Sequence, residues 1–418
     1  MKNRSFKVIL LLVISLVAIN LFGQRFPAPE FETGYEVPET QIALAKPIFY
    51  EILDIIIFLA TLTLITWVII KKRSRRAVFW ISIFSLLYFG FYRKGCICPV
   101  GSLQNVTMAI FNPEYNIPLT AIIFFIAPLG YTLFFGRTFC AGVCPLGAIQ
   151  DLVALRPVSL KRWLRYLLGL IPFLYLGLAL LFAATGTDFI VCRYDPFVGF
   201  FRRNGTFMML SVGGLLLLAG VFIARPYCRF LCPYGVLLNL VSRFSWKHLS
   251  IANGSCTNCK LCENACPYDA IDKPTGLEVK SDNRELVKKL MVYGFITPLL
   301  MVLTGWTVSK YHEDFAHVNF KVRLAKQMMT LDDSQITELP EEVTTFQASG
   351  TPIEELYKEA ASIVHDFHVG SWIIGGFIGL VLGLTLSKLT IYQYRDEYLT
   401  NKGNCYSCAR CIDYCPVK

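Results

Sequence analysis

The sequence predicts an all-α integral membrane protein of about eight transmembrane helices, with a small cysteine-rich module split between two distant segments. Three observations predict it. Of the 418 residues, 54% are hydrophobic and the mean hydropathy is +0.49, far above a soluble domain of this length. Apolar runs long enough to cross a bilayer recur along the chain. The fifteen cysteines fall into short repeated patterns.

Eight runs read as spans: 8–23, 48–70, 77–92, 117–135, 163–184, 206–224, 290–308 and 370–391. The net charge of +10 does not point to nucleic acid, because the basic residues sit at span ends. "KKRSRR" (Lys71 to Arg76) lies between two spans, the positive-inside pattern. The N-terminal "KNRSFK" is then cytoplasmic, and the first run is a signal anchor or a signal peptide. Residues 24–47, with four glutamates against one Lys and one Arg, lie outside. Alternation puts "CICPVG" and "VCRYDPF" outside and "CAGVCPLG" and "CRFLCPYG" inside. The loop 310–369, with eleven Asp/Glu against five Lys/Arg, is outside, and the C-terminus is inside. The expected organisation is 1–47 as anchor and short outer segment, 48–250 as membrane core, 251–285 as first cysteine-rich half, 286–392 as a transmembrane hairpin, and 393–418 as second half.

Residues 256–267 read "CTNCKLCENACP" and residues 405–416 read "CYSCARCIDYCP". Both are C-x2-C-x2-C-x3-C-P, the run that holds [4Fe–4S] clusters in two-cluster ferredoxins. Three cysteines in a tight loop reach three corners of one cube, and the fourth serves the other cluster. One cluster would take Cys256, Cys259, Cys262 and Cys415. The second would take Cys405, Cys408, Cys411 and Cys266. Zinc ribbons space their cysteine pairs more widely, and disulfides do not suit a reducing compartment. The expectation is a split 2[4Fe–4S] ferredoxin-like module on the cytoplasmic side. Spans seven and eight carry its halves to one face, and Gly375, Gly379 and Gly383 at spacing four in the last span offer a face for close helix packing.

"GRTFCAGVCPLG" and "ARPYCRFLCPYG" share Cys-x3-Cys-Pro-x-Gly after a span. Proline suits the first helical position, which puts Cys144 and Cys232 at helix N-termini, where the dipole favours thiolate. Arg137, Arg225 and Arg229 stand nearby. Cys140, Cys144, Cys228 and Cys232 are therefore candidates for a further iron–sulfur centre or a soft metal such as Cu(I). Redox-active thiols, or buried cysteines that merely pack, are the alternatives. Cys96, Cys98 and Cys192 are candidates for a site on the outer side, or for a disulfide. Cys98 aligns with Cys144 and Cys232, but Lys94 stands where the other cysteine would be. His312, His317, His365 and His368 flank the outer ends of the last two spans and read as loop histidines, with a metal or haem site as the sharper alternative. No nucleotide-binding loop and no catalytic triad or carboxylate pair stands out, so the chain reads as an electron-transfer subunit and not a self-contained enzyme.

The order of these elements resembles the NosR/NapH-type membrane polyferredoxins. "FCAGVCPLGAIQD" and "YCRFLCPYG" are similar to that family's Cys-x3-Cys-Pro motifs, the two ferredoxin runs match its C-terminal pair, and "EDFAHVNFKVRLAKQM" is similar to its loop before the last span. The resemblance implies electron transfer, in the bacterial inner membrane, between a quinol pool or cytoplasmic donor and an acceptor outside. NosR proteins support nitrous oxide reductase and NapH proteins serve periplasmic nitrate reduction. NosR also carries an outer flavin-binding domain; residues 24–47 are too few for one, and no threonine for covalent FMN can be assigned. The expected partner is therefore a separate flavoprotein, cytochrome or copper enzyme. Copper reductases that assist oxidase assembly look similar, and a redox-sensing regulator is a third reading.

Overall fold

The computed structural model describes residues 48–95, 98–155, 157–251, 256–275, 283–331, 341–348, 350–390, 395 and 397–416. The first apolar run and residues 24–47 lie outside the described residues, as does Cys96.

The described residues are mostly helical. Helix α1 (Ile48–Trp67) continues as a π-helical turn to Lys72 and stops at Arg73, in the left-handed conformation. Ser74 then caps α2 (Arg75–Ser85), accepting from the Ala77 amide. That satisfies one of the free N–H groups of a helix start. After a second π-helical stretch (Leu86–Tyr92) come α3 (Pro99–Phe111) and α4 (Leu119–Phe135). Gly136 ends α4 at φ 75°, and a Cβ there would lie 2.5 Å from His248 Nδ1, so both conformation and space require glycine.

Short helices follow: α5 (Thr138–Gly142) and α6 (Pro145–Val153). Next come α7 (Arg162–Leu168) and α8 (Ile171–Ala184), then α9 (Ile190–Tyr194) and α10 (Pro196–Arg202). Helix α11 (Phe207–Phe222) leads to α12 (Pro226–Phe230) and α13 (Pro233–Ser242). The first ferredoxin-type half holds α14 (Leu261–Ala265) and strand β1 (Ile271–Asp272). Helix α15 (Asn283–Ser309) leads away from it, through α16 (His312–Ala316), α17 (Phe320–Leu331) and α18 (Glu341–Ala348). Helix α19 (Ile353–Thr390) returns to strand β2 (Leu399–Thr400) and α20 (Arg410–Asp413).

Four helical segments are long and apolar enough to cross a bilayer: Ile48–Lys72, Trp163–Ala184, Val287–Ser309 and Ile353–Leu389. Pro196–Arg202 and Phe207–Phe222 make a fifth if that pair, bent by 104°, is one broken span. The expected runs 77–92 and 117–135 form helices that fall short: Arg75–Tyr92 opens on two arginines, and Leu119–Phe135 has 17 residues. The described residues thus carry four or five of the eight expected spans.

One core, with Phe58, Leu62, Ile65, Phe89, Phe124, Phe139 and Tyr227 almost fully buried, joins the membrane helices to the ferredoxin-type halves. A second core, around Leu181, Leu324, Leu356 and Phe367, packs α16, α17 and α18 against α8 and α19. The hairpin of α15 and α19 is close. A Cβ on Gly375 would meet the Thr304 carbonyl at 2.5 Å, one on Gly379 the Met301 Cα at 2.5 Å, and one on Gly383 the Thr297 hydroxyl at 2.3 Å. Thr304 Oγ1 donates across the gap to the Gly375 carbonyl, 2.6 Å. Small residues let the backbones approach, so dispersion and hydrogen bonding hold the pair. This hairpin brings residues 149 apart in sequence together. Strands β1 and β2 pair antiparallel, Ile271 opposite Thr400 and Asp272 opposite Leu399.

Candidate metal centres

The two ferredoxin-type runs fold alike. Asn258 and Lys260 in the first, and Ser407 and Ala409 in the second, take left-handed backbone conformations at the same offsets from the leading cysteine. Such turns aim successive amides inward, making a concavity for an anion. Helices α14 and α20 pack on each other. A cavity between the halves is lined by Cys266, Cys405, Cys408 and Cys411, together with Tyr268, Tyr406 and Ile271. These are the four sulfurs that the crossing pattern assigns to one cluster. The Ser407 amide donates to Cys405 Sγ and the Ala270 amide to Cys266 Sγ, each at 3.4 Å. N–H donors to cysteine sulfur suit a thiolate-bound cluster, since they favour the charged form. Of the other set, Cys262 is buried and within electrostatic range of Cys256 and Cys259. Cys259 is exposed, and Cys415 packs on the same core as Cys256.

The four membrane thiols gather at the start of two helices. Cys144 and Cys232 are the N-cap residues of α6 and α13, each followed by proline. Cys140 and Cys228 sit in the one-turn helices just before. The Gly235 amide donates to Cys232 Sγ at 3.3 Å. Cys144 and Cys232 both lie within electrostatic range of Cys140 and Cys228. The two repeats grip each other: Gln150 Oε1 accepts from the Tyr227 amide at 3.0 Å, and its Nε2 donates to Cys228 Sγ at 3.4 Å. Arg225 is fully buried and donates to the carbonyls of Cys140 and Ala141.

Cys98 is within electrostatic range of Cys192, and also of Cys144 and Cys232. The outer and inner thiols are thus neighbours inside the core, not separated by a full bilayer. The reason is that α3, α6 and α13 all begin at a Cys-Pro step and start from a shared centre.

The second ferredoxin-type run docks directly on the membrane thiols. Tyr406, next to Cys405, donates its hydroxyl to the Cys228 carbonyl at 3.0 Å. Its ring lies 4.1 Å below the Arg137 guanidinium. Arg137 also donates to the Gly403 carbonyl at 3.2 Å and lies 3.9 Å from Cys140 Sγ. Behind this junction sits Asp151, 3% exposed. It pairs with Arg75 at 2.6 Å and with Arg225 and Arg410 at 3.4 Å, and accepts from Tyr268 Oη at 2.9 Å. Burial alone would raise the Asp151 carboxyl, but Arg225, Arg75 and Arg410 hold it well below the usual carboxylate range. Asp151, Arg75, Arg410, Tyr406 and Gln150 escaped the sequence reading; the one available signal was a glutamine six residues after the cysteine of each Cys-Pro step at 98 and 144.

Of the histidines, the rings of His312 and His368 meet at 4.8 Å, and His312 Nδ1 is 2.7 Å from the Ser309 carbonyl. Among the described residues, no three His, Cys, Asp or Glu side chains stand at single-ion spacing, the ferredoxin quartet included. A cube, with its ligands on separate irons, spreads its thiolates more widely than one tetrahedral ion does.

This is the site of a membrane iron–sulfur protein of the ferredoxin type. A 4Fe-4S binding domain family matches residues 117–165 and 204–251, and a second 4Fe-4S binding domain family matches residues 250–272. The chain is similar in sequence to ferredoxin-type electron transport and regulatory proteins, NosR among them. YccM of Escherichia coli (strain K12), named for electron transport, is 29% identical over 187 residues, 40% of this chain and 52% of that one. The methylamine utilization ferredoxin-type protein MauN of Paracoccus denitrificans is 33% identical over 161 residues, 35% of this chain and 53% of that one. The regulatory protein NosR of Stutzerimonas stutzeri is 27% identical over 207 residues, 45% of this chain and 28% of that one. The match thus spans about half the length of the first two relatives and less of the third. No solved structure matches the chain. The relatives and domains support iron–sulfur electron transfer in a membrane protein.

Proposed function

We propose that this protein is an electron-transfer subunit in which two [4Fe–4S] clusters communicate with a thiol-bound centre at Cys140, Cys144, Cys228 and Cys232. The carrying observation is the docking of Tyr406, beside Cys405, against the Cys228 carbonyl and under the Arg137 guanidinium. A [4Fe–4S] cube exchanges one electron at a potential set by charge, hydrogen bonds and solvent access. The chain's own residues supply these: amides of Ser407 and Ala270 on sulfur, Gln150 on Cys228, and burial of Cys405, Cys408 and Cys411. Arg137 and Arg225, 3% and 0% exposed, place positive charge beside Cys140 and Cys228. Arg225 is balanced by Asp151. Among the described residues no carboxylate pairs with Arg137, so the junction favours an anionic, thiolate-rich occupant over neutral thiols.

Orientation follows from charge. Arg75, within the basic "KKRSRR" segment, donates to the Cys408 carbonyl at 3.4 Å, so the basic segment and the ferredoxin halves share a face. The positive-inside rule makes that face cytoplasmic. The membrane core 48–250 and the two halves 251–285 and 393–418 then act as one unit, drawing on a quinol or cytoplasmic donor. They pass electrons to a membrane or outer acceptor: a flavoprotein, a cytochrome or a copper enzyme.

Iron, copper and acid-labile sulfide should be counted on the purified protein and on Cys144→Ser/Cys232→Ser. Roughly eight irons belong to the ferredoxin pair. Iron beyond that count, lost in the double variant, supports the relay; bound copper lost instead supports the copper-reductase reading; no metal lost overturns a metal centre at the membrane thiols.

A further inference from the structure

The membrane core contains one arrangement of cysteine, proline, glycine and glutamine twice. Cys98-Pro-x-Gly-x-x-Gln104 repeats Cys144-Pro-x-Gly-x-x-Gln150 residue for residue. Cys98 and Cys144 are both extended N-cap residues of a helix opened by proline. Both glutamines are completely buried, and both reach across to a short cysteine-bearing helix. Gln150 Oε1 accepts from the amide of Tyr227, beside Cys228. Gln104 Oε1 accepts from the amides of Val191 at 3.2 Å and Cys192 at 3.4 Å. Cys192 is therefore the counterpart of Cys228. The parallel extends one step further. Cys232-Pro233 opens α13, and Asp195-Pro196 opens α10, with Asp195 accepting from the Phe197 amide at 2.8 Å.

We infer that Cys98, Cys192 and Asp195 form a second buried site for a thiolate-bound metal, the counterpart of Cys144, Cys228 and Cys232. Three further observations point to a ligand there. Gln104 Nε2 has no hydrogen-bond partner although the side chain is fully buried, whereas the same atom of Gln150 donates to Cys228 Sγ. An unsatisfied buried donor is costly, and a thiolate on Cys192 would satisfy it as Cys228 satisfies its twin. Asp195 is 2% exposed, and among the described residues no Lys, Arg or His pairs with it; its partners are the Phe197 amide and Tyr227 Oη, at 2.5 Å. A buried carboxylate within electrostatic range of Cys98, with donors but no counter-charge, would be stabilised by a cation. Finally, Cys192 Sγ lies 3.0 Å from where a Cβ on Gly101 would stand, so the sulfur fits only over a glycine in the first turn of α3.

Since among the described residues no three such side chains stand at single-ion spacing, two thiolates and one carboxylate here suit an iron–sulfur cluster, whose ligands spread over separate irons. Tyr227 joins the two sites, one residue from Cys228 and hydrogen-bonded to Asp195. The second site is therefore the far terminus of the wire, an assignment that rests on the relay proposed above; metal binding at the site does not.

The test uses full-length protein purified anaerobically in detergent. Iron and copper per chain should be measured in the wild type and in Cys98→Ser/Cys192→Ser. Loss of about four irons is the expected result, and loss of copper with iron unchanged overturns the cluster. Electron paramagnetic resonance of the ferredoxin pair should stay unchanged, which separates this site from the ferredoxin-type halves. Unchanged iron and copper in the double variant overturns the site. If that variant does not fold, the wild type decides: Cys98 and Cys192 should resist alkylation in the loaded protein and react after chelation in mild denaturant. Equal labelling in both states overturns the inference.

Discussion

The guanidinium of Arg137 lies 4.1 Å over the ring of Tyr406, so the membrane core and the tail of the chain meet at one stacked pair. Arg137 ends the turn before Cys140; Tyr406 follows Cys405. A cation over an aromatic ring in a desolvated place contributes about 2 kcal/mol, and here it also fixes how the cluster cavity faces the membrane thiols. Tyr406→Phe keeps the ring and loses the bond to the Cys228 carbonyl, a cost of about 1 kcal/mol. Tyr406→Ala loses both. Flash-induced reduction of the ferredoxin pair should therefore reoxidise nearly normally in the phenylalanine variant and at least about tenfold more slowly in the alanine variant, the equivalent of about 1.4 kcal/mol in the barrier. Equal rates in both would show that this contact does not carry the transfer.

Asp151 should matter more to stability than to redox chemistry. It balances Arg225, which is fully buried, as well as Arg75 and Arg410 at the rim. Removing the carboxylate leaves Arg225 buried without its counter-charge, a loss of about 3–5 kcal/mol. Asp151→Asn should lower the unfolding midpoint in detergent markedly, whereas Arg410→Gln, at a half-buried partner, should cost far less. Similar midpoints for the two variants would refute this ranking.

Ligand crossing between the halves predicts how signals pair. Cys266→Ser and Cys405→Ser should both perturb one cluster's resonance signal, and Cys256→Ser and Cys415→Ser the other's. Were Cys266→Ser to group with Cys256→Ser, each run would hold its own cube and the crossing would be wrong.

The hairpin predicts a long-range effect. A side chain at Gly379 meets the Met301 backbone at 2.5 Å, and backbone cannot move aside as a flexible side chain can. Gly379→Leu should splay α15 from α19, pull residues 405–416 from 256–266 and lower bound iron, although it lies outside both motifs. Gly376→Leu, where a Cβ meets nothing within 4 Å, is the matched control and should keep its iron.

The sequence by itself determined the membrane class, the ferredoxin-type halves and the Cys-Pro repeats. Hydropathy and cysteine spacing are local: a run of apolar residues, or four cysteines within eleven positions, carries its meaning wherever it folds. The glycine face of the last span was legible for the same reason, because spacing four marks one side of a helix. What only the tertiary structure decided is which motifs touch. Among the described residues four or five segments are long and apolar enough to cross; Leu119–Phe135 ends at 17 residues where Gly136 turns the chain, and short helices restart after it at Cys-Pro steps. Those restarts bring Cys98 near Cys144 and Cys232. Asp151 is one carboxylate among thirty acidic residues until Arg75, Arg225 and Arg410 arrive from three parts of the chain. Tyr406 is one of twenty tyrosines until the hairpin carries it to Arg137. Coulomb and stacking forces act over a few ångströms of space, and sequence separation says nothing about such distances until the chain has closed.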